Sequence, residues 1–198
     1  MPNDKRLFAV TQWTLKAAVI GTTLLIAVLI CGAVAIIVAW HSGFLSQQLV
    51  RASKEIGEVT LSVGSMHAAL NPLTDITAAD VAKIALTALA GAVIVILLAQ
   101  FILRAILRIV VSTSVGDPFI EKNATDIAHV AWLWLGVQAA EMLTKLAVYG
   151  VAPAAVRAKL GDPVAIPLMG LFAALLIFVL ARIFRRGTEM RAELEATV

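Results

Sequence analysis

Three polar side chains recur at helical spacing inside an otherwise apolar segment, namely Gln138, Glu141 and Lys145. With Ala131 and Trp134 they follow steps of three and four residues, which place them along one stripe of an α-helix. Glu141 precedes Lys145 by four residues, the favourable order for an acid and a base on a helix. Because ionisable groups at membrane depth are costly and normally face other helices in pairs, we favour a stripe that fixes helix packing. A proton or ligand site inside a bundle, or a position of both charges in the outer interface, remains an alternative interpretation.

Other residue types that could do chemistry are scattered along the chain. His41 and His67 share one predicted loop without a cysteine or a ligand-spaced carboxylate, and Cys31 is the only cysteine, so no metal site, disulfide or cofactor is predicted. For Gln100 and His129 we favour hydrogen bonds between helices over a proton relay. The sequence contains no Gly-rich phosphate loop, nucleophile elbow or paired catalytic carboxylates. We therefore expect no enzyme activity.

The composition predicts that the residues above are carried by helices that span a membrane. Of the 198 residues 61% are apolar, whereas a soluble domain is about 45–50% apolar. About 20 apolar residues cross a bilayer as a helix, and the first apolar run is too long for a secretory signal. We predict an all-α fold, a single four-helix membrane bundle over residues 1–198 with a loop outside the cytoplasm at 41–83. The predicted spans are about 17–40, 84–106, 127–151 and 163–184.

Lysine and arginine are distributed unevenly over the predicted loops. If the N-terminus is cytoplasmic, ten of them fall on the inner side and five on the outer side, the five being Arg51, Lys54, Lys83, Arg157 and Lys159. Cytoplasmic segments collect Lys and Arg, so both termini are predicted to lie in the cytoplasm. We interpret the net charge of +3 as a consequence of this excess of cytoplasmic Lys and Arg. We expect no direct binding of nucleic acid.

The predicted outer loop contains three local signals. Apolar residues at helical spacing between Phe44 and Ile56 indicate a short helix at the membrane surface. Alternation over 59–63 indicates a short strand. Thr77 and Asp80 have the spacing of a capping box, which predicts that the second spanning helix begins near Ala78.

The tripeptide Gly-Asp-Pro occurs twice, at 116–118 and 161–163, each time before a predicted span. Asp accepts hydrogen bonds from free N–H groups at a helix start, Pro suits the first helical position, and Gly permits the preceding turn. We interpret both copies as helix-start signals. The third spanning helix is thus predicted to run from Pro118 to Val151.

Two helices are expected to extend beyond the bilayer into the cytoplasm. A helix from Pro118 to Val151 would be about 50 Å long, so its first turns project, where Lys122 and Asp126 are spaced to pair. The fourth helix continues past its span with an apolar stripe at steps of three and four. The stripe comprises Leu180, Ile183, Phe184, Gly187, Met190 and Leu194.

The same two stretches resemble a bacterial membrane family, that of domain of unknown function 2975. The resemblance rests on Gly116-Asp117-Pro118-Phe119 with Asn123, on Leu180-Ala181, Phe184 and Arg186-Gly187, and on the ending from Leu194 to Val198. Ala196 departs from the glycine that usually precedes the final Thr-Val of the family. The resemblance implies a four-span protein of the bacterial inner membrane over nearly the whole chain. Members are often encoded beside a small helix-turn-helix regulator, which implies such a partner, and the resemblance provides no catalytic residues to carry over.

We therefore predict a non-enzymatic multi-pass membrane protein, with the lipid bilayer and a small helix-turn-helix transcription regulator as partners. The predicted cytoplasmic docking residues are Phe119, Asn123, Phe184, Arg186 and Leu194. The alternative is a small transporter or channel-like subunit that uses the Glu141 and Lys145 stripe. The sequence is compatible with a monomer and with a homo-oligomer.

Overall fold

Helices dominate the fold, with one two-stranded hairpin. The computed structural model describes the backbone of residues 2–55, 59–63, 66–70, 76–115, 118–160, 163–164 and 166–195, and the side chains of 10–51, 76–113, 118–160, 163–164 and 166–194. The described elements are α1 (Pro2–His41), α2 (Phe44–Glu55), β1 (Val59–Val63), β2 (Met66–Leu70), α3 (Ala78–Val115), α4 (Glu121–Val151), α5 (Ala154–Leu160) and α6 (Leu168–Glu195).

Three of the described helices are long and apolar enough to cross a membrane: Val10–His41 in α1, Ala78–Thr113 in α3 and Leu168–Leu194 in α6. They correspond to the first, second and fourth predicted spans. The fourth begins at Leu168 and not at Pro163 as predicted, so Pro163 precedes the helix instead of opening it. The third predicted span, 127–151, lies in α4. That helix is long enough to span but is not among the three, because polar residues such as Gln138, Glu141 and Lys145 recur along it.

The contact side of α1 follows a seven-residue repeat. Its half-buried positions alternate in steps of three and four and include Val19, Thr22, Ile26 and Leu29. A 3.5-residue period keeps one seam of a helix facing its neighbour. No described α1 side chain is fully buried, so most of this helix surface is left for lipid.

The chain divides into two compact units, of which the second comprises Ile26–Val95 and Ala139–Ile166. Its helix α2 and strand β1 confirm the local predictions for 44–56 and 59–63. Between α1 and α2 the chain turns at Gly43, whose φ of 72° favours glycine. Strands β1 and β2 pair antiparallel with Val59 opposite Leu70, and β2 packs against α5.

The predicted capping box at the start of α3 is confirmed. The Thr77 hydroxyl accepts a hydrogen bond from the backbone N–H of Asp80 at 3.2 Å, and the Asp80 carboxylate accepts one from the backbone N–H of Thr77 at 3.2 Å. Below this cap, apolar side chains of α3, α4 and α5 form the core of the unit. Its buried members are Ile84, Val148, Ala152, Val156 and Leu160.

The first unit comprises Met1–Leu25, Ile96–Gln138 and Pro167–Val198. Half of its buried positions on α3, α4 and α6 are alanine or glycine, which let helices approach closely where lipid removes the hydrophobic drive for association. Gln100 of α3 donates to Thr23 Oγ1 of α1 at 2.6 Å, which confirms the predicted hydrogen bond between helices for Gln100. The same prediction for His129 is wrong, because its side chain is exposed and makes no hydrogen bond to another helix among the described residues. The buried alanines are Ala105, Ala124, Ala131, Ala174 and Ala181.

Two glycines at contacts of α3 with α4 differ sharply in the space around them. A Cβ built on Gly91 of the second unit would lie 2.7 Å from Cβ of Thr144, an atom that cannot move without the α4 backbone. A Cβ built on Gly136 of the first unit would lie 3.7 Å from Leu98 Cδ1, an ordinary contact. Gly91 is therefore required for close helix approach in its unit.

We expect Gly91→Ala to destabilise the protein by about 1–3 kcal/mol, because the added methyl group forces the two helices apart. Gly136→Ala is the matched control and should have little effect. Thermal unfolding of both full-length variants in the same detergent measures the difference. Equal melting temperatures for the two variants would contradict the close approach at Gly91.

Candidate docking site

The segment before α4 is fixed by the side chain of Asn123. This side chain is 1% exposed. Its Oδ1 accepts a hydrogen bond from Ser112 Oγ of α3 at 2.6 Å, and its Nδ2 donates to the backbone carbonyl of Pro118 at 3.0 Å. Asn123 thus ties together the end of α3, the connecting segment and the first turn of α4.

The start of α4 differs from the prediction. The helix begins at Glu121, because the carbonyl of Ile120 accepts the first bonds, from the N–H groups of Asn123 and Ala124. Pro118 therefore precedes the helix instead of opening it. The predicted turns at Gly116-Asp117 and Gly161-Asp162, like the end 196–198, lie outside the described residues.

Phe119 lies against α6. Its ring centroid is 5.3 Å from that of Phe184, with the rings tilted by 36°. Such aromatic pairs contribute about 0.5–1.5 kcal/mol beyond the area they bury. A Cβ on Gly187 would approach Phe119 Cδ1 to 2.7 Å, so the absence of a side chain at Gly187 provides room for the ring.

A second polar contact joins α3 and α4 one turn away. Arg108 Nη2 donates to Asp126 Oδ1 at 2.7 Å and Arg108 Nε donates to Asp126 Oδ2 at 3.3 Å. The Asp126 side chain is buried whereas the Arg108 side chain is half exposed. Asp126 thus pairs with Arg108 of the neighbouring helix, and the predicted pairing with Lys122 is wrong because the carboxylate points into the helix contact.

The remaining predicted docking residues lie on the surface of α6. Arg186 Nη1 donates to Glu189 Oε2 at 2.9 Å, and both side chains are exposed. Leu194 is 69% exposed. The five predicted docking residues therefore separate into a buried support, Asn123, two aromatic rings in contact, and two exposed α6 residues.

The apolar stripe predicted on α6 is only partly its packed face. The packed side includes Ala174, Ala181 and Phe184, whereas Ile183 and Met190 of the predicted stripe are exposed. Ala174 and Ala181 allow close packing on this side, whereas the stripe residues other than Phe184 and Gly187 face outward. This difference leaves an exposed apolar surface on the end of α6.

The residues of the predicted polar stripe on α4 do not share one environment. In the first unit, the Trp134 indole N–H donates to the Gly170 carbonyl at 2.9 Å, and a Cβ at Gly170 would overlap the Gln138 amide. These contacts dock α6 on α4. In the second unit, Glu141 is exposed, and no ion pair joins it to Lys145 within the described part of the chain. The transport hypothesis for Glu141 and Lys145 stays a prediction.

The two histidines whose side chains the structure describes do not come together with other ligands. His41 Nδ1 lies 3.1 Å from the backbone carbonyl of Ile37 in its own helix, His129 is exposed, and the side chain of His67 lies outside the described residues. Among the side chains that the structure describes, no group of three His, Cys, Asp or Glu residues could hold a metal ion.

We expect Asn123→Ala to destabilise the protein by about 1–3 kcal/mol, because a buried amide loses partners on both sides. The segment around Phe119 should also loosen, so that trypsin cleaves faster after Lys122. Thr125→Ala is the control, since this exposed hydroxyl bonds only to the Glu121 carbonyl of its own helix. Thermal unfolding and a proteolysis time course on both variants test this, and identical cleavage rates would contradict it.

The comparisons with known proteins identify a family. The family model described as "Protein of unknown function (DUF2975)" matches residues 70–198. This range begins at the end of β2 and covers well over half of the chain, although α1 lies outside it. Neither the curated proteins nor the solved structures contain a match. The chain therefore belongs to the family of domain of unknown function 2975, as the motifs around Phe119 and Phe184 predicted.

Proposed function

We propose that the protein spans the bacterial inner membrane four times, with both ends in the cytoplasm, and holds a small helix-turn-helix regulator on its cytoplasmic face. The excess of Lys and Arg in the segments assigned to the inside supports the orientation. The three apolar helices support a membrane location. As the fourth span, α4 would pack against its neighbours through its buried Val130, Ala131 and Val137 and through Asp126, which pairs with Arg108 of α3.

The observation that carries the proposal is the exposed apolar surface at the end of α6. This helix continues without a break to Glu195, and Met190 and Leu194 are 51% and 69% exposed. With Ile183 they lie at steps of seven and four on one face, beside the partly exposed Phe119. We call these four residues the docking surface. Apolar side chains exposed together outside a bilayer mark protein-binding surfaces, and a helix face of this kind suits a helical partner.

The docking surface is held in place before any partner arrives. Asn123 fixes the segment that carries Phe119, and Phe119 packs on Phe184 and over Gly187. A surface that is already ordered loses less conformational entropy on binding. Because it orders the segment that carries Phe119, the buried Asn123 would contribute to docking without contacting the partner.

The proposal predicts that Met190→Ala with Leu194→Ala weakens capture of the regulator at least about tenfold, because the two exposed anchors of the interface are lost. Leu175→Ala with Leu176→Ala is the matched control, since both leucines are exposed on the apolar part of the same helix. Full-length protein in mild detergent is immobilised and titrated with a small helix-turn-helix protein from the same genome. Binding that is unchanged by the first pair, or weakened equally by both pairs, would overturn the docking surface.

A further inference from the structure

Three arginine side chains converge on one pocket on a different face of α6. Arg182, Arg185, Arg186 and Glu189 line a pocket of about 320 Å³. Steps of three and four residues place them side by side along the helix. The packed face of Ala181 and Phe184 lies to one side of this row, and the exposed apolar face of Val179 and Ile183 lies to the other.

The charges in this pocket do not balance. Glu189 accepts from Arg186 Nη1 at 2.9 Å, which leaves two of the three cations without a carboxylate in the pocket. Within the described residues, no ion pair or hydrogen bond is seen for the guanidinium groups of Arg182 and Arg185. The pocket therefore attracts an anion.

The chemistry of the pocket favours a phosphate group. A guanidinium presents N–H donors in a fork that matches phosphate oxygens, and such charge-assisted bonds are stronger than neutral ones. Arg182 directly follows the charge-free run 163–181. The three arginines therefore lie where a membrane-spanning helix would reach the lipid headgroups. Val179 and Ile183 are exposed next to the arginines, so acyl chains of the same ligand could cover them.

We propose that Arg182, Arg185 and Arg186 form a binding site for a phosphate-bearing anion, either the headgroup of an anionic phospholipid or a soluble phosphate. None of the three arginines belongs to the docking surface, although Ile183 of that surface lies next to them. The binding experiment for this site contains no regulator, so failure of this site and failure of the regulator proposal can be distinguished.

The experiment compares two triple variants of the full-length protein in a zwitterionic detergent. Arg182→Gln, Arg185→Gln and Arg186→Gln remove the site, whereas Lys16→Gln, Arg104→Gln and Lys122→Gln remove the same charge from exposed positions on other helices. Binding of phosphatidylglycerol, phosphatidylcholine and inorganic phosphate is measured by native mass spectrometry and calorimetry. We expect the first variant to bind phosphatidylglycerol at least about tenfold more weakly, since three cations that attract the anionic headgroup are lost.

A third variant, with Arg182→Lys, Arg185→Lys and Arg186→Lys, retains the charge and the exposed surface. We expect it to bind more weakly than the wild type because an ammonium group cannot form the two-pronged contact. Phosphatidylglycerol binding without inorganic phosphate binding identifies the lipid as the ligand, whereas inorganic phosphate binding that the Gln variant loses identifies a soluble anion. Equal losses in the two Gln variants, or full affinity in the Lys variant, would overturn the site.

Discussion

The buried amide of Asn123 is the contact on which the arrangement of this end of the protein depends. It accepts from Ser112 of α3 and donates to the Pro118 carbonyl, so a single side chain sets the path of the chain into α4. That path brings Phe119 onto Phe184 and above Gly187. An unpaired buried amide costs about 1–3 kcal/mol, more than the net contribution of about 0.5–1.5 kcal/mol from a hydrogen bond, so a geometry that leaves Asn123 without its partners is disfavoured.

Contacts between helices elsewhere also depend on hydrogen bonds and close packing. Lipid tails are as apolar as leucine side chains, so packing depends on close approach and on hydrogen bonds between helices. The first unit uses buried alanines, the contact between Trp134 and the Gly170 carbonyl, and the pair of Arg108 with Asp126. Large apolar residues are consequently left on the surface, where they face lipid in the spanning part of α6 and form the proposed docking surface at its end.

The sequence predicts local structure well here because its signals are local. The capping box of Thr77 and Asp80, the strand at 59–63 and the uninterrupted α6 each depend on residues within a few positions of one another. The partner of Asp126 and the start of α4 depend instead on Arg108 and Ser112, which are distant in sequence and belong to no periodic pattern. The packed face of α6 was predicted wrongly for a related reason. The spacing of bulky residues identifies an apolar face, but it does not show whether lipid or another helix lies against that face.

The central claim is that the end of α6 and the segment before α4 face the cytoplasm as one ordered surface. The most direct measurement is cysteine labelling in intact and permeabilised cells with a membrane-impermeant maleimide, after Cys31 has been replaced by serine. Leu194→Cys should react only after permeabilisation, and Lys159→Cys, in α5 on the proposed opposite side, should react in intact cells. Labelling of Leu194→Cys in intact cells would contradict the orientation and, with it, the docking of a cytoplasmic regulator.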